Sequence, residues 1–138
     1  MLRWLFLIGV FLYCAAGFKA YADIYSAKCK FDKASSAQFD ADKQEFLIEF
    51  LKNENFTMEF AFEDKNATGT MIGSLGAARV QVVWGTGTVT FLETTDIGVV
   101  QVTVLYGKAL GMLPATHSRH SNIVFPLPSQ YYGKCEVK

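Results

Sequence analysis

One short segment near the C-terminus holds the densest group of side chains with the chemistry to bind a ligand. It contains both histidines of the chain and an arginine among hydroxyl groups: His117, Ser118, Arg119, His120 and Ser121. A guanidinium group binds a carboxylate or phosphate through paired hydrogen bonds, and imidazole and hydroxyl groups supply further donors. The segment therefore predicts a binding site for an anion or a small polar ligand. The simpler interpretation of the same residues is a structural role, in which these groups satisfy backbone groups at a sheet end.

Metal binding and catalysis are the other kinds of chemistry that histidines perform. His117 and His120 are three residues apart, so on a strand they point to opposite faces, and the sequence offers no third ligand. We expect no metal and no cofactor. Either histidine, with a nearby serine and with Glu93 or Asp96, supplies the ingredients of a small hydrolase. The sequence has no Gly-x-Ser-x-Gly elbow and no His-Glu-x-x-His motif, so we expect a non-enzymatic protein and keep the hydrolase as an alternative.

The N-terminus predicts export. Arg3 precedes an apolar run over residues 4–18, and residues 20–22 form a small-x-small cleavage site, a combination typical of a signal peptide. The run is shorter than the roughly 20 residues that a spanning helix needs, so we expect no stable membrane span after cleavage. The prediction is a cleaved signal peptide over residues 1–22, a single domain over residues 23–138, and a periplasmic or secreted protein.

Two cysteines remain after this cleavage. They are Cys29 and Cys135, because Cys14 leaves with the signal peptide. An even pair of cysteines in an exported protein predicts a disulfide. First and last strands that are cross-linked must be neighbours or face each other across a core, which favours a sheet that closes on itself.

Residues 78–106 give the clearest sign of secondary structure. Apolar and polar residues alternate through three runs separated by glycine-containing or polar turns, as in antiparallel strands with one buried face. Similar runs elsewhere bring the count to about eight strands. The predicted fold is all-β, an antiparallel up-and-down β-barrel, with a two-sheet β-sandwich as the alternative.

Three segments are harder to assign. Residues 31–37 are polar and small, so they are predicted to form a loop. Residues 44–52 fit a strand or one face of a short helix, and we choose a strand because residues 53–55 resemble a hairpin turn. Residues 117–128 are predicted to be less regular, since Pro126 and Pro128 cannot donate to a central ladder.

Aromatic residues are plentiful enough to fill a barrel. Their positions in the alternating runs predict an inward-facing set: Phe46, Phe50, Phe56, Phe60, Phe62, Phe91 and Phe125, with Trp84 and Met58. A packed core is the simpler interpretation of this set. The sharper hypothesis is a barrel mouth lined with aromatic residues that holds an apolar ligand.

Charge and overall layout bear on the partner. The chain without residues 1–22 has 11 basic and 13 acidic residues, a net charge of −2, so no nucleic-acid partner is expected. In layout the chain resembles the bacterial inhibitors of C-type lysozyme, which are exported β-barrels of about this size with cysteines near both ends. This resemblance in architecture implies an alternative function, inhibition of an extracellular hydrolase. Such an inhibitor is expected to act through an exposed loop, at residues 107–111 or 117–128. The preferred prediction is a secreted or periplasmic barrel that binds an unknown small ligand or an extracellular protein.

Overall fold

The alternating runs of the sequence become the strands of one closed sheet. The computed structural model of the chain describes residues 23–122 and 126–138. Its eight strands are β1 (Ile24–Asp40), β2 (Glu45–Glu63), β3 (Thr68–Gly73), β4 (Gly76–Trp84), β5 (Thr88–Thr94), β6 (Val100–Tyr106), β7 (Gly111–Asn122) and β8 (Pro126–Val137). Each strand pairs antiparallel with its neighbours in sequence, and β1 pairs with β8 to close the barrel. The predicted up-and-down barrel is confirmed, and the sandwich alternative is wrong.

The two ends of the barrel differ in what they carry. At the terminal end lie the start of β1, the end of β8 and the β2–β3, β4–β5 and β6–β7 connections. At the hairpin end lie the β1–β2, β3–β4, β5–β6 and β7–β8 connections. The predicted signal peptide and Phe125 lie outside the described residues.

The interior of the barrel is filled with side chains. Phe60 and Phe91 are each 1% exposed and stack with ring centroids 4.2 Å apart. Phe62 packs edge-on against Phe91, and Met58 is also buried. Eight strands enclose a space that side chains just fill, so this aromatic stack is the centre of the core.

A disulfide joins the first strand to the last. Cys29 and Cys135 are direct partners in the β1–β8 register and form the predicted bond. Both are buried, and they belong to the same apolar cluster as Phe31. The covalent link therefore lies at the ladder that closes the sheet, and it spans 106 residues of sequence.

Strand β1 bends sharply near its middle. Its register with β8 shifts between Phe31 and Lys33, which leaves Asp32 as an extra residue. Its register with β2 shifts at the same place, where residues 53–55 of β2 lie opposite Asp32 alone. Gly133 lies opposite Phe31, and a Cβ atom there would collide with the backbone of Lys30 and Phe31. Bulges bend a strand and increase its twist, and the glycine lets β8 approach the bend closely.

Beyond this bend, β1 and β2 continue as a long hairpin, here called the arm (residues 33–52). Their pairing runs from Lys33 and Lys52 to Asp40 and Glu45. Residues 44–52 are thus strand rather than helix, apart from Gln44 in the turn, as predicted. The predicted loop at residues 31–37 and turn at residues 53–55 are wrong, because both strands run through them and the turn lies at the arm's tip.

The arm also accounts for a wrong prediction about which phenylalanines lie in the core. Phe46 and Phe50, predicted to face inward, are 49% and 80% exposed. They have the alternation of core residues, but they pair with Phe39 and Ser35 of β1, on the face opposite to the one that carries buried Ala34. Strand β3 ends at Gly73, and β2 pairs with it only from Glu59 to Phe62, so this ladder is short and the arm projects past it.

The two prolines of β8 lie where the ladder tolerates them. Pro126 and Pro128 pair with β7, while the register of β1 with β8 ends at Ser36 and Ser129. Proline is accepted at the edge of a sheet because its missing N–H has no partner there. Residues 117–122 and 126–128 are therefore strand, contrary to the irregular segment that was predicted. In the described part of the chain, no helix has the length and apolar character to cross a bilayer.

Loss of the disulfide should cost much of the stability. A double substitution, Cys29→Ala with Cys135→Ala, is expected to lower the free energy of unfolding by about 4 kcal/mol, because it frees a long loop of the unfolded chain. Urea unfolding followed by circular dichroism would measure this. Reductant should destabilise the wild type similarly and leave the variant unchanged; a wild type insensitive to reductant would contradict the prediction.

Candidate functional site

The alternation of β7 separates the residues of the predicted site. His117 is 1% exposed and points into the barrel, whereas His120 is exposed. Because successive side chains on a strand alternate between its faces, Ser118 accompanies His120 on the outside and Arg119 lies on the side of His117. The five residues are thus neighbours in sequence but do not converge on one point.

His117 occupies an aromatic environment with one polar neighbour. Its ring lies 5.3 Å from Phe56, 5.7 Å from Tyr131 and 5.9 Å from Phe31, measured between ring centroids. The Nδ1 atom shares a hydrogen bond of 2.8 Å with the hydroxyl of Thr103, which is itself buried. The hydroxyl satisfies the ring nitrogen inside the barrel, where an unpaired polar atom would be costly.

Burial also sets the charge of this histidine. Burial first, and the positive charge of Arg119 second, lower the pKa of His117 from 6.5 to about 4. An ionised imidazole is disfavoured in apolar surroundings and is disfavoured further by a like charge nearby. His117 is therefore neutral at physiological pH.

Two hydroxyl groups of the segment make contacts along the β7–β8 hairpin, that of Ser118 from the outer face of β7 and that of Ser121 from the face of His117. The Ser118 hydroxyl donates a hydrogen bond to the side-chain oxygen of Gln130. The Ser121 hydroxyl donates to the carbonyl oxygen of Leu127 at 3.3 Å. The contact of Ser121 ties β7 to β8 beyond Ser129, where the pairing of β8 with β1 ends. Both contacts agree with the structural interpretation of the hydroxyl groups.

Arg119 lies in a polar row just above the buried histidine, towards the hairpin end. Its partners in the register are Gln101 on β6 and Ser129 on β8. Gln101 pairs in turn with Glu93 of β5 and donates a hydrogen bond of 2.7 Å to its carboxylate. The exposed guanidinium of Arg119 can thus meet an anion at the hairpin end, without His120 or Ser118 as a partner on the same face.

Potential metal ligands do not cluster in the part of the chain that the structure describes. Within residues 23–122 and 126–138, no group of three His, Cys, Asp or Glu side chains is arranged to hold an ion. Glu93 and Asp96, the acids named for a hydrolase, lie on β5 and in the β5–β6 loop. The polar partner of His117 is Thr103 and not a serine.

A second candidate site lies at the terminal end, opposite to Arg119. It is a cleft of about 250 Å³, here called the aromatic mouth, whose lining is mostly apolar: Tyr25, Phe62, Trp84, Val89, Leu105, Leu113 and Val137, with Asp64, Lys65, Gly107, Lys108 and Ala109 at the rim. Phe62 stacks with Tyr25 at 5.6 Å and lies 5.9 Å from Trp84. This cleft has the character of the aromatic-lined opening that the sequence suggested.

The rim of the mouth is built from two turns. The indole nitrogen of Trp84 donates a 2.8 Å hydrogen bond to the carbonyl of Asn66, which holds the β2–β3 turn against β4. Gly107, in the β6–β7 turn, has a φ of 139°, and a Cβ there would lie 2.8 Å from a Leu113 methyl. Only glycine adopts such a backbone without strain, so it leaves room for Leu113 beside the cleft.

Several of these residues were missed by sequence reasoning. Thr103 was one hydroxyl among many in the alternating strands, and its pairing with His117 depends on the β6–β7 register. Lys65 and Lys108 lie in separate turns, and only barrel closure brings both to one rim. The positive φ of Lys65 also has no counterpart in the sequence from which it could be predicted.

Fold and site together define a small closed β-barrel with a disulfide at its closing ladder and an aromatic mouth at one end. Comparisons of the chain with protein-family models, with curated proteins and with solved structures found no match in any of the three.

The buried histidine predicts a pH dependence of stability. The folded state holds His117 with a pKa of about 4, below the unfolded value, so its contribution is complete above pH 6.5 and is lost as the pH falls towards 4. The loss from this residue should reach about 3 kcal/mol. Urea unfolding at pH 7.5 and pH 4 would measure it.

The control for this measurement is the other histidine. His117→Gln is expected to remove this part of the acid-induced loss, while His120→Gln, at an exposed position, keeps it. Equal loss in wild type and in His117→Gln would contradict the assignment.

Proposed function

We propose that the protein is a non-enzymatic binding protein of an oxidising compartment, periplasmic or extracellular, whose ligand occupies the aromatic mouth. The observation that carries this proposal is the 250 Å³ cleft with its apolar lining and cationic rim. Ligand sites are typically concave and mostly apolar, with a few polar groups that fix orientation. The Cys29–Cys135 disulfide supports the compartment, because such bonds persist where the environment is oxidising.

The chemistry of the mouth favours a small amphipathic anion. Tyr25, Phe62 and Trp84 offer ring surfaces to an apolar body, and Lys65 and Lys108 stand at the rim where a charged head would lie. Asp64 beside them disfavours a second negative charge on the ligand. A carboxylate on a short hydrocarbon chain matches both the volume and the charge, because lysine binds anions as a point charge without strict geometry.

Binding can be tested with a pair of ligands of equal length and opposite charge. Octanoate is expected to bind and to change the fluorescence of Trp84, while octylamine should bind at least about tenfold more weakly. Lys65→Glu combined with Lys108→Glu should weaken octanoate binding about tenfold or more, the equivalent of about 1.4 kcal/mol. Titration followed by tryptophan fluorescence and by calorimetry would give both affinities.

Arg119→Ala is the matched control, because it removes a cation at the opposite end of the barrel. It should leave octanoate affinity unchanged. If Arg119→Ala weakens binding and the double lysine variant does not, the mouth is not the site, and the polar row around Arg119 takes its place. If neither ligand binds at millimolar concentration, the proposed ligand class is wrong.

Inhibition of an extracellular hydrolase is a second candidate, and the β6–β7 turn favours it. Leu110 is 64% exposed in this turn, which is framed by Gly107 and Gly111, both with positive φ. A protruding apolar side chain on a firmly shaped loop suits insertion into an enzyme cleft. In a lysozyme assay, the wild-type protein at micromolar concentration should inhibit the enzyme, and Leu110→Asp should abolish this inhibition. If the wild-type protein leaves lysozyme activity unchanged, this candidate function is wrong.

A further inference from the structure

The arm carries an apolar face that the described part of the chain leaves uncovered. Phe46, Ile48 and Phe50 are 49%, 63% and 80% exposed. Phe39 lies on the same side, since its ring packs edge-on against Phe46 with centroids 5.2 Å apart. By the register of the hairpin, this arm face consists of Ser35, Ala37 and Phe39 on β1 with Phe50, Ile48 and Phe46 on β2.

The arm also presents an open strand edge. Strand β2 pairs with β3 only from Glu59 onward, so in the described structure residues 45–58 have β1 as their one neighbouring strand. Natural proteins usually blunt such an edge or cover it, because it invites pairing with another chain. An apolar face and an open edge on one element together indicate an interaction surface.

The charges at the tip of the arm are negative. The turn segment, residues 40–45, has three acidic residues, Asp40, Asp42 and Glu45, and one basic residue, Lys43. Asp40 is occupied within the turn, where it accepts hydrogen bonds from the backbone amides of Asp42 and Lys43 at 3.0 and 3.1 Å and pairs with the Lys43 ammonium at 3.7 Å. Glu45 is next to Phe46 in β2 and therefore points to the opposite face of the arm, so the exposed carboxylate of Asp42, in the turn, supplies the outward charge of the tip.

The charges at the base of the arm are positive. Lys33 and Lys52 face each other across the β1–β2 ladder, and Lys30 and Lys134 face each other across the β1–β8 ladder just below. Like charges directly opposite on a sheet destabilise it. Among the residues whose side chains the structure describes, the base thus holds two adjacent pairs of cations with Asp32 beside them. An external negative charge would relieve the repulsion within these pairs.

The arm face is consequently complementary to itself when it is turned end for end. Ala37 and Ile48 form its middle pair. From there the Lys33–Lys52 pair lies four residues away in one direction, about 14 Å, and the acidic turn lies a similar distance away in the other. A two-fold axis through the middle pair places the tip of one arm over the lysine base of the other, with Phe46 of one copy over Phe50 of the other.

We propose that the arm face is where a second copy of this chain docks, with the two arms packed face to face and antiparallel about a two-fold axis at Ile48. The contact is isologous, so it closes as a dimer and does not grow into a fibre. An anionic lipid surface would attract the lysine base but repel the acidic tip of the same face, and the charge pattern therefore favours the second copy. The aromatic mouth, at the other end of the barrel, stays open in this dimer.

Oligomeric state tests the proposal directly. The full chain, expressed with its own N-terminal segment and purified in the oxidised state, should sediment as a dimer at micromolar concentration in analytical ultracentrifugation. Ile48→Lys places two like charges at the axis and should raise the dissociation constant at least about 30-fold. Leu75→Lys is the control, because Leu75 is fully exposed in the β3–β4 turn, outside the arm, and this variant should dimerise as the wild type does.

A charge exchange tests the antiparallel arrangement. Lys52→Glu alone and Asp42→Lys alone should each weaken the dimer several-fold, because each sets like charges against one another. The two changes in one chain should restore wild-type affinity. Lys52→Glu with Asp64→Lys keeps the same net charge but places the new lysine at the far end of the barrel, so it should stay weak.

Each other outcome overturns the proposal. If the protein is a monomer at all concentrations, the proposed dimer does not form. If a dimer forms but tolerates Ile48→Lys or is lost with Leu75→Lys, its interface is on another surface. Equal affinity of the two double variants would show that the arms are not antiparallel. Circular dichroism of every variant should match the wild type, since all substituted side chains are exposed.

Discussion

Closure of the sheet by the β1–β8 ladder is the constraint on which the rest of the structure depends. A strand that returns to the first one leaves no edge around the core, and the Cys29–Cys135 bond makes this return covalent. Closure also gives the two ends of the barrel different sets of residues. It brings the turns with Lys65 and Lys108 to one rim, and it carries β7 and β8 along the base of the arm at the other end. The aromatic mouth and the arm are thus products of the same topology.

Much of the fold is readable from the sequence because its signals are local. The cysteine pair and the alternation in β4 and β5 predict a closed antiparallel sheet, which is confirmed. Strand β6 is harder, since Val100, Val102 and Val104 alternate with Val99, Thr103 and Leu105, and both faces are apolar enough to be buried. The structure buries Val99, Thr103 and Leu105. Burial there depends on which face the barrel closes around, and that is a property of the whole sheet.

The arm and the candidate site depend on relations that no local pattern contains. Phe46 and Phe50 have the same spacing as Phe56 and Phe60, but beyond the register shift at residues 53–55 they lie on the face opposite to buried Ala34. His117 and His120 were grouped because they are close in sequence, whereas a strand sends them to opposite sides. The sequence did indicate that this spacing is poor for a shared metal. It did not indicate Thr103, because the pairing of β6 with β7 determines that contact.

The short β2–β3 ladder has a mechanical consequence. It has four residue pairs, from Glu59–Ile72 to Phe62–Gly69, as does the β4–β5 ladder, while the closing ladder is reinforced by a covalent bond. Local opening of a protein begins where the fewest backbone hydrogen bonds hold two elements together. We therefore expect local opening at the β2–β3 and β4–β5 ladders. Phe60 lies in β2 and Phe91 in β5, so opening at either ladder would expose the phenylalanine stack to water.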